Sequence, residues 1–332
     1  TDPIGYMQSR VLEVATARRA DTPSVRDIAS RLYDQVEQWA NNPLELGEVR
    51  GLDFGLPSVN QLVDGLDRGL VMLAGRPSMG KSALAFEIAR RVAKNGQRVM
   101  VFSLEMAAEA VMQRWASAIS GVQSRHIRRG VIPRKYRGKP AAQGYVTSAD
   151  LGKYLVGLDD AGAYQSVYID DASSLSAADI RVRALQKANL WGGLDLVVVD
   201  HTGYIKSEPM RGENSSQTEG RKSRILKQLG KSDLGCPVIL VQQLNRNVEQ
   251  RDNKRPQLSD LRQTGEHEEN ADVVLAVYRE SYYLERENKP VPANVDNQLE
   301  VIGLKNREGP TGTRTIFYDR RISRFGELEG RA

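Results

Sequence analysis

Gly75-Arg76-Pro77-Ser78-Met79-Gly80-Lys81-Ser82 is the stretch on which the fold turns. It fits the pattern G-x-x-x-x-G-K-[ST]. In that pattern a glycine-rich loop aims backbone N–H groups at phosphate oxygens, a lysine reaches the β- and γ-phosphates, and a hydroxyl takes up Mg²⁺. The flanks agree. Leu70 to Ala74 is apolar throughout and reads as a short buried strand, while Ala83 to Lys94 carries Leu84, Ile88 and Val92 at helical spacing. A helix beginning at Lys81 turns its positive end toward the phosphates. Arg76, Ser78, Met79, Gly80, Lys81 and Ser82 are the candidate nucleotide-binding residues, with Ser82 also a candidate Mg²⁺ ligand.

Downstream, Arg98 to Ser103 predicts a second strand, followed by Leu104-Glu105-Met106 and a helix over Ala107 to Ser120. Ligands in open α/β sheets bind at the carboxyl ends of strands, so Glu105 is placed to orient a water for attack on the γ-phosphate. A capping or surface role fits its position equally. Val167 to Asp171 predicts a third strand, and Ser176 to Asn189 a helix with Ile180, Ala184, Leu185 and Ala188 inward. Leu194 to Asp200 reads as a strand buried on both faces, and its terminal Asp200 can hold Mg²⁺ through water. Cys236 to Gln242 is the next apolar strand. Gln243 at its end can sense a γ-phosphate or serve as an ordinary loop residue.

The remaining segments are less uniform. Residues 1–50 precede the core as a linker region. Thr22-Pro23 reads as a helix start, and Val25, Ile28, Leu32, Val36 and Trp39 form one apolar face of an amphipathic helix over about 23–40. That face packs on its own domain or docks on a neighbouring subunit. Leu56 to Leu66 predicts a short helix. The basic run from His126 to Lys139 is a solvated face or a nucleic-acid or subunit contact. Residues 206–222 read as a polar, mobile connection, followed by a basic helix from Gln217 to Ser232. Leu258 to Glu266 is polar and glycine-bearing ahead of the strand Asp272 to Tyr278. Gln298 to Leu304 and Thr313 to Tyr318 alternate like a hairpin, with Lys305 and Arg307 in the connecting stretch. Such charges are ordinarily solvated; in a ring of nucleotide-binding subunits they can reach the neighbour's nucleotide.

Composition bounds the rest. A chain of 332 residues, 40% hydrophobic, can build a packed core, and a net charge of +5 permits a nucleic-acid partner. The single cysteine, Cys236, lies in an apolar run and reads as a buried strand residue, which excludes a disulfide framework. His126, His201 and His267 lack ligand-like spacing. No apolar stretch approaches the roughly 18 residues of a membrane span, and no signal-peptide core opens the chain, so a soluble cytoplasmic protein is expected. The chain starts at Thr1 without methionine, as a fragment of something longer would.

Taken together, the segments resemble the helicase domain of the bacterial and phage replicative helicases, the DnaB type within the hexameric RecA-like ATPases. The likeness spans roughly residues 50 to 326. It rests on Arg76 to Ser82, Phe102-Ser103-Leu104-Glu105-Met106, Val199-Asp200, Gln243-Leu244-Asn245-Arg246, Ser259-Asp260-Leu261-Arg262, Asn270-Ala271-Asp272 and Lys305-Asn306-Arg307-Glu308-Gly309-Pro310, in the family's order. It implies an α/β fold: a RecA-like P-loop core over 51–332 with a mostly parallel sheet and a C-terminal β-hairpin, preceded by the helical linker.

By this resemblance Lys81 and Glu105 serve catalysis, Glu105 as base, Asp200 is the Mg²⁺-holding carboxylate, and Gln243 is the γ-phosphate sensor. Lys305 and Arg307 reach the adjacent subunit's site. Arg262, Gln263 and Gly265 belong to a loop touching single-stranded DNA, and residues 206–222 form the other channel loop. The implied cofactors are ATP and Mg²⁺. The implied partners are single-stranded DNA, five further copies in a homo-hexamer, a primase and a helicase loader, in a bacterial cell or phage-infected host. The amphipathic helix is then a docking helix.

The sequence departs from the family in three places. His201-Thr202-Gly203 stands where tyrosine, leucine and glutamine are usual, residues 131–150 look inserted, and the N-terminal collar is missing, as in a truncated chain or a divergent phage protein. Two rival readings share the core: a RecA-like recombination ATPase, which would form filaments, and a nucleotide-gated DNA-binding scaffold without useful turnover.

Overall fold

The computed structural model describes residues 24–45, 48–63, 68–133, 138, 143–207 and 212–328; of these, the side chains of Ser215 and residues 262–267 are outside the description. The chain forms two units, residues 1–46 and 47–332. The described part of the first is one helix, α1 (Val25–Asn41), none of whose residues is buried. Its cap is Ser24, whose side chain accepts from the Asp27 N–H while Asp27 accepts from the Ser24 backbone, a reciprocal capping box. That corrects the expected start at Thr22, which lies outside the described residues. Ser24 wins because the Asp27 carboxylate three residues on closes the second half of the box.

In the second unit, α2 (Pro57–Val63) precedes the first strand, β1 (Gly69–Gly75). Helix α3 (Lys81–Lys94) follows the glycine-rich loop, then β2 (Val99–Ser103) and α4 (Ala108–Ser120). After the short α5 (Ser124–Ile127) comes α6 (Ser148–Gly162), then β3 (Val167–Asp170), α7 (Ala177–Trp191) and β4 (Leu196–Asp200). Helix α8 (Ser215–Gln228) ends in a wide π turn over Leu229–Leu234 and leads to β5 (Pro237–Gln243). A 3-10 stretch (Leu258–Thr264) runs into α9 (Gly265–Asn270) before β6 (Val273–Tyr278). The chain closes with α10 (Glu280–Arg286), α11 (Ala293–Asp296), β7 (Gln298–Asn306), β8 (Gly312–Asp319) and β9 (Arg324–Gly326).

One sheet carries all nine strands in the order β3-β2-β4-β5-β1-β6-β7-β8-β9. From β3 to β6 every pairing is parallel; β7, β8 and β9 add antiparallel strands. The parallel strands are apolar on both faces because each face packs on its own core. In β1, Val71 and Leu73 join the cluster with Phe86, Ile88 and Trp115, while Leu70, Met72 and Ala74 join the opposite one with Ile180, Ala184, Leu226 and Leu229. In β4 the split repeats, with Leu196 and Val198 on one side and Val197 and Val199 on the other. The period-two alternation thus makes three layers, with the sheet in the middle.

Two expectations change. The stretch 206–222 is not one long polar connection: from Ser215 it is helical, and Thr218, Lys222 and Ser223 are buried. Asn214 and Gln217 form a capping box that starts α8 two residues earlier than the sequence pattern predicts. A capping box supplies a helix start that hydrophobicity does not reveal. Helix α6, which the apolar spacing does not announce, has the same device in Thr147 and Asp150, and its Tyr154 packs with Val122, Val146 and Ala116. The apparent insertion therefore borders this small satellite core, with Ile132 N–H donating to Val146 O at 2.9 Å.

The α3 carboxylate Glu87, buried to 3% exposure, binds both Arg90 and Arg91 at 2.7 Å. Arg91 in turn donates to Gly55 O (2.6 Å) and Phe325 O (2.9 Å), joining the two ends of the α/β unit. Glu87→Ala is expected to destabilise the unit by about 3 kcal/mol, because removing one partner of a buried pair leaves the others uncompensated. Guanidinium unfolding measures this, and a loss under about 1 kcal/mol would show that Glu87 organises little.

Candidate active site

Four adjacent parallel strands, β2, β4, β5 and β1, end at the same edge of the sheet. Each delivers one piece of the site. The loop after β1 holds Ser78 at φ 64° and Gly80 at φ 100°, so Gly80 turns the chain left-handed and α3 begins at Lys81. A Cβ on Gly80 would also stand 3.1 Å from the Tyr318 ring. Arg279, buried at the end of β6, donates to Ser78 O at 3.2 Å and braces the loop from below.

Lys81 Nζ folds over the loop and donates to Arg76 O at 3.0 Å. Burial lowers its ammonium to about 8 against the raising effect of Asp200 and Glu105. Ser82 Oγ donates to Asp200 Oδ1 at 2.8 Å. Asp200 is fully buried, and burial pushes its carboxyl up to about 6 while the Ser82 hydrogen bond opposes the shift. Its other oxygen, Oδ2, has no hydrogen-bond partner among the described residues. A buried orphaned carboxylate oxygen beside a hydroxyl is a hard-oxygen donor set of the kind that suits a divalent cation such as Mg²⁺.

Glu105 stands past β2 with its side chain 45% exposed, and its Oε2 is 3.5 Å from His201 Nε2. Burial holds the His201 imidazole below its ordinary value, against the raising effect of Glu105. Gln243 ends β5, level with Gly75 of β1, and the Leu244 N–H returns to Gly75 O at 3.1 Å. These groups line a cleft of about 620 Å³, which also takes in Pro77, Arg114, Tyr318, Arg320 and Ser323. The volume lies within the range of small-molecule sites.

The cleft therefore gathers Ser78, Gly80, Lys81, Ser82, Glu105 and Gln243, with Asp200 beneath Ser82. Two loop residues contribute differently. The Arg76 guanidinium turns away to Glu249 (2.9 Å) and Leu244 O (2.8 Å), leaving its carbonyl for Lys81, and the Met79 side chain is buried in the core. Lys305 and Arg307 are elsewhere, at the end of β7, where they donate to Glu268 O (2.6 Å) and Glu269 O (2.7 Å). Arg262, Gln263 and Gly265 span the junction of the 3-10 stretch and α9. Sequence reasoning misses Arg114, His201, Tyr318 and Arg320. Arg114 has no motif to mark it, and Tyr318 reads as one more strand residue until β8 is seen to finish beside Gly80.

A glycine-rich loop, a buried aspartate and a poised glutamate on adjacent parallel strands define the class: a RecA-like P-loop ATPase. The chain belongs to the DnaB-like helicase C-terminal domain family, whose family model matches residues 51–327. It is 34% identical to the replicative DNA helicase DnaB of Geobacillus stearothermophilus over 97% of this chain and 66% of that protein. It is 31% identical to the replicative DNA helicase DnaC of Bacillus subtilis strain 168, over 99% and 68%. The chain thus spans about two thirds of the length of these relatives. Among solved structures, one ATPase domain superposes with a TM-score of 0.78 at 27% identity, covering 93% of this chain and all of that one. A DnaB-like replicative helicase described with its primase interactions also gives 0.78, at 26% identity over 99% and 72%. These relatives favour the replicative helicases over the recombination ATPases.

Gly80→Ala is expected to weaken ATP binding at least about tenfold, since the new methyl meets Tyr318 while the residue keeps a strained positive φ. Titration with a fluorescent ATP analogue checks it. Wild-type affinity would mean that the loop adapts freely.

Proposed function

We propose that the chain is the motor of an ATP-driven DNA helicase that translocates on single-stranded DNA as a hexameric ring. The observation that carries this reading is the separation, on one sheet, of the cleft's Lys81 and Gln243 from a cationic pair, Lys305 and Arg307. Lys81 and Gln243 belong to the cleft, whereas Lys305 opposes Val274 and Asn306 opposes Val273, near the start of β6. Val273 is level with Val71, four residues short of Gly75, roughly 13 Å away along the strand. From there Lys305 and Arg307 serve a neighbouring chain's cleft far better than their own, as an arginine finger supplied in trans does.

Within a cleft, the backbone N–H groups of the loop and Lys81 bind the phosphates of ATP. Glu105 orients a water and accepts its proton as the oxygen attacks the γ-phosphorus, the bond from that phosphorus to the bridging oxygen breaks and ADP departs with the electron pair, and Gln243 contacts the γ-phosphate to report its presence. Ser82 and Asp200 would hold Mg²⁺, which supplies neutralisation of phosphate charge when bound. Loss of the γ-phosphate then changes how neighbouring chains grip each other and moves the segments around 206–222 and Arg262, Gln263 and Gly265 along the DNA. DNA contacts fall mainly on phosphates and are salt-sensitive.

Residues 1–50 act as a linker whose helix α1 docks on an adjacent subunit through Val25, Ile28, Leu32 and Val36, all exposed here. A primase and a loader are the further partners, in the cytoplasm of a bacterial cell or phage-infected host. No helix among the described residues is long and apolar enough to cross a membrane.

Strand displacement on forked duplexes, with either tail blocked, tests activity and direction together. A scaffold would show no DNA-stimulated hydrolysis. Glu105→Gln should bind ATP normally yet lose about 10²- to 10⁴-fold in kcat, the usual worth of a positioned base. Near-normal turnover in that variant removes Glu105 from its role.

A further inference from the structure

The turn after Asp200, where this chain departs from the family pattern, is shaped around a single side chain. The Gly203 backbone N–H donates to His201 Nδ1 at 3.0 Å. A ring nitrogen that accepts a hydrogen bond carries no proton, so the proton of the neutral imidazole is on Nε2. Nε2 is the nitrogen that lies 3.5 Å from Glu105 Oε2.

Two neighbours wall the ring, and a third residue anchors the turn. A Cβ on Gly203 would stand 2.7 Å from His201 Cε1 and 3.1 Å from Nδ1, so only glycine lets the ring occupy this position. The Tyr204 ring meets the imidazole edge to face, with centroids 4.9 Å apart. Thr202 Oγ1 is hydrogen-bonded to Gln242, the neighbour of Gln243, and so anchors the turn to β5. Glu105 needs such a partner. Its side chain is nearly half exposed on a turn, and a carboxylate with free rotamers spends little time facing a water.

We infer that His201 is a positioning residue for hydrolysis: its Nε2–H faces Oε2 of Glu105 at 3.5 Å, attracts that oxygen and leaves Oε1 to receive the proton of the attacking water. This rests on the reading of Glu105 as the base. His201 transfers no proton itself; its tautomer is fixed by Gly203 throughout.

The test is steady-state and single-turnover ATP hydrolysis by the whole chain with single-stranded DNA. His201→Ala should lower kcat about 10- to 100-fold, the usual cost of losing a residue that orients a reacting group. The affinity for a non-hydrolysable ATP analogue should change by less than about twofold. His201→Gln, which offers an amide N–H at a similar reach, should recover most of the loss. Gly203→Ala, which displaces the ring while leaving it present, should reproduce the kcat defect without lowering the melting temperature appreciably. In the Glu105→Gln background, His201→Ala should cause no further loss in single-turnover rate.

Unchanged kcat in His201→Ala overturns the proposal. So does a defect confined to nucleotide affinity, or full additivity with Glu105→Gln. Failure of the underlying reading looks different: Glu105→Gln alone then turns over like the wild type, and the proposal falls with it.

Discussion

The hydrogen bond from Ser82 Oγ to Asp200 Oδ1 joins segments 118 residues apart and is the contact on which the site depends. It forms because β1 and β4 both flank β5 in parallel, which brings Gly75 level with Gln243 and Val199 level with Leu240. In an antiparallel arrangement the same residues would be at opposite edges. The parallel order in turn requires long crossovers, and α3, α7 and α8 supply them while covering the apolar faces of the sheet. The burial that makes the strands stable also removes water from Lys81 and Asp200, which is why their ionisation is displaced toward the neutral forms. Stability and site electrostatics are two results of one packing arrangement.

Much of this was legible in the chain itself. β1, β4 and β5 are apolar at nearly every position because both faces are covered, a pattern unlike that of a half-exposed strand. The glycine-rich loop announces itself because Gly80 and Lys81 are required by backbone geometry and charge. Asp200 and Gln243 are legible as polar residues closing apolar runs, and each does end a strand. Other features depend on tertiary contacts with no local trace. The sequence does not say that the Arg76 guanidinium pairs with Glu249, because that partner arrives from 173 residues away. Nor does it say that Tyr318 backs Gly80. The starts of α1, α6 and α8 depend on reciprocal caps, and these polar pairs escape a reading tuned to apolar spacing.

The turn at His201 shows why a departure from a family pattern is informative. A tyrosine, leucine and glutamine sequence at this place would lack both the ring nitrogen that receives the Gly203 N–H and the glycine that makes room for it. The histidine and the glycine are mutually dependent, since each makes sense only with the other. Such a pair is a local solution to fixing one carboxylate, and it is compatible with an otherwise ordinary P-loop core.

The β7–β8 hairpin runs from one edge of the sheet to the other. Lys305 and Arg307 mark one extremity, and Tyr318, against Gly80, marks the opposite one. A stiff two-stranded ribbon transmits a push along its length with little bending. The ribbon is therefore a tie-rod within the chain: a load on its cationic end has a rigid path to Gly80 through Tyr318. Communication between the two ends of the sheet needs no flexible messenger, only a part rigid enough to be leaned on from both ends.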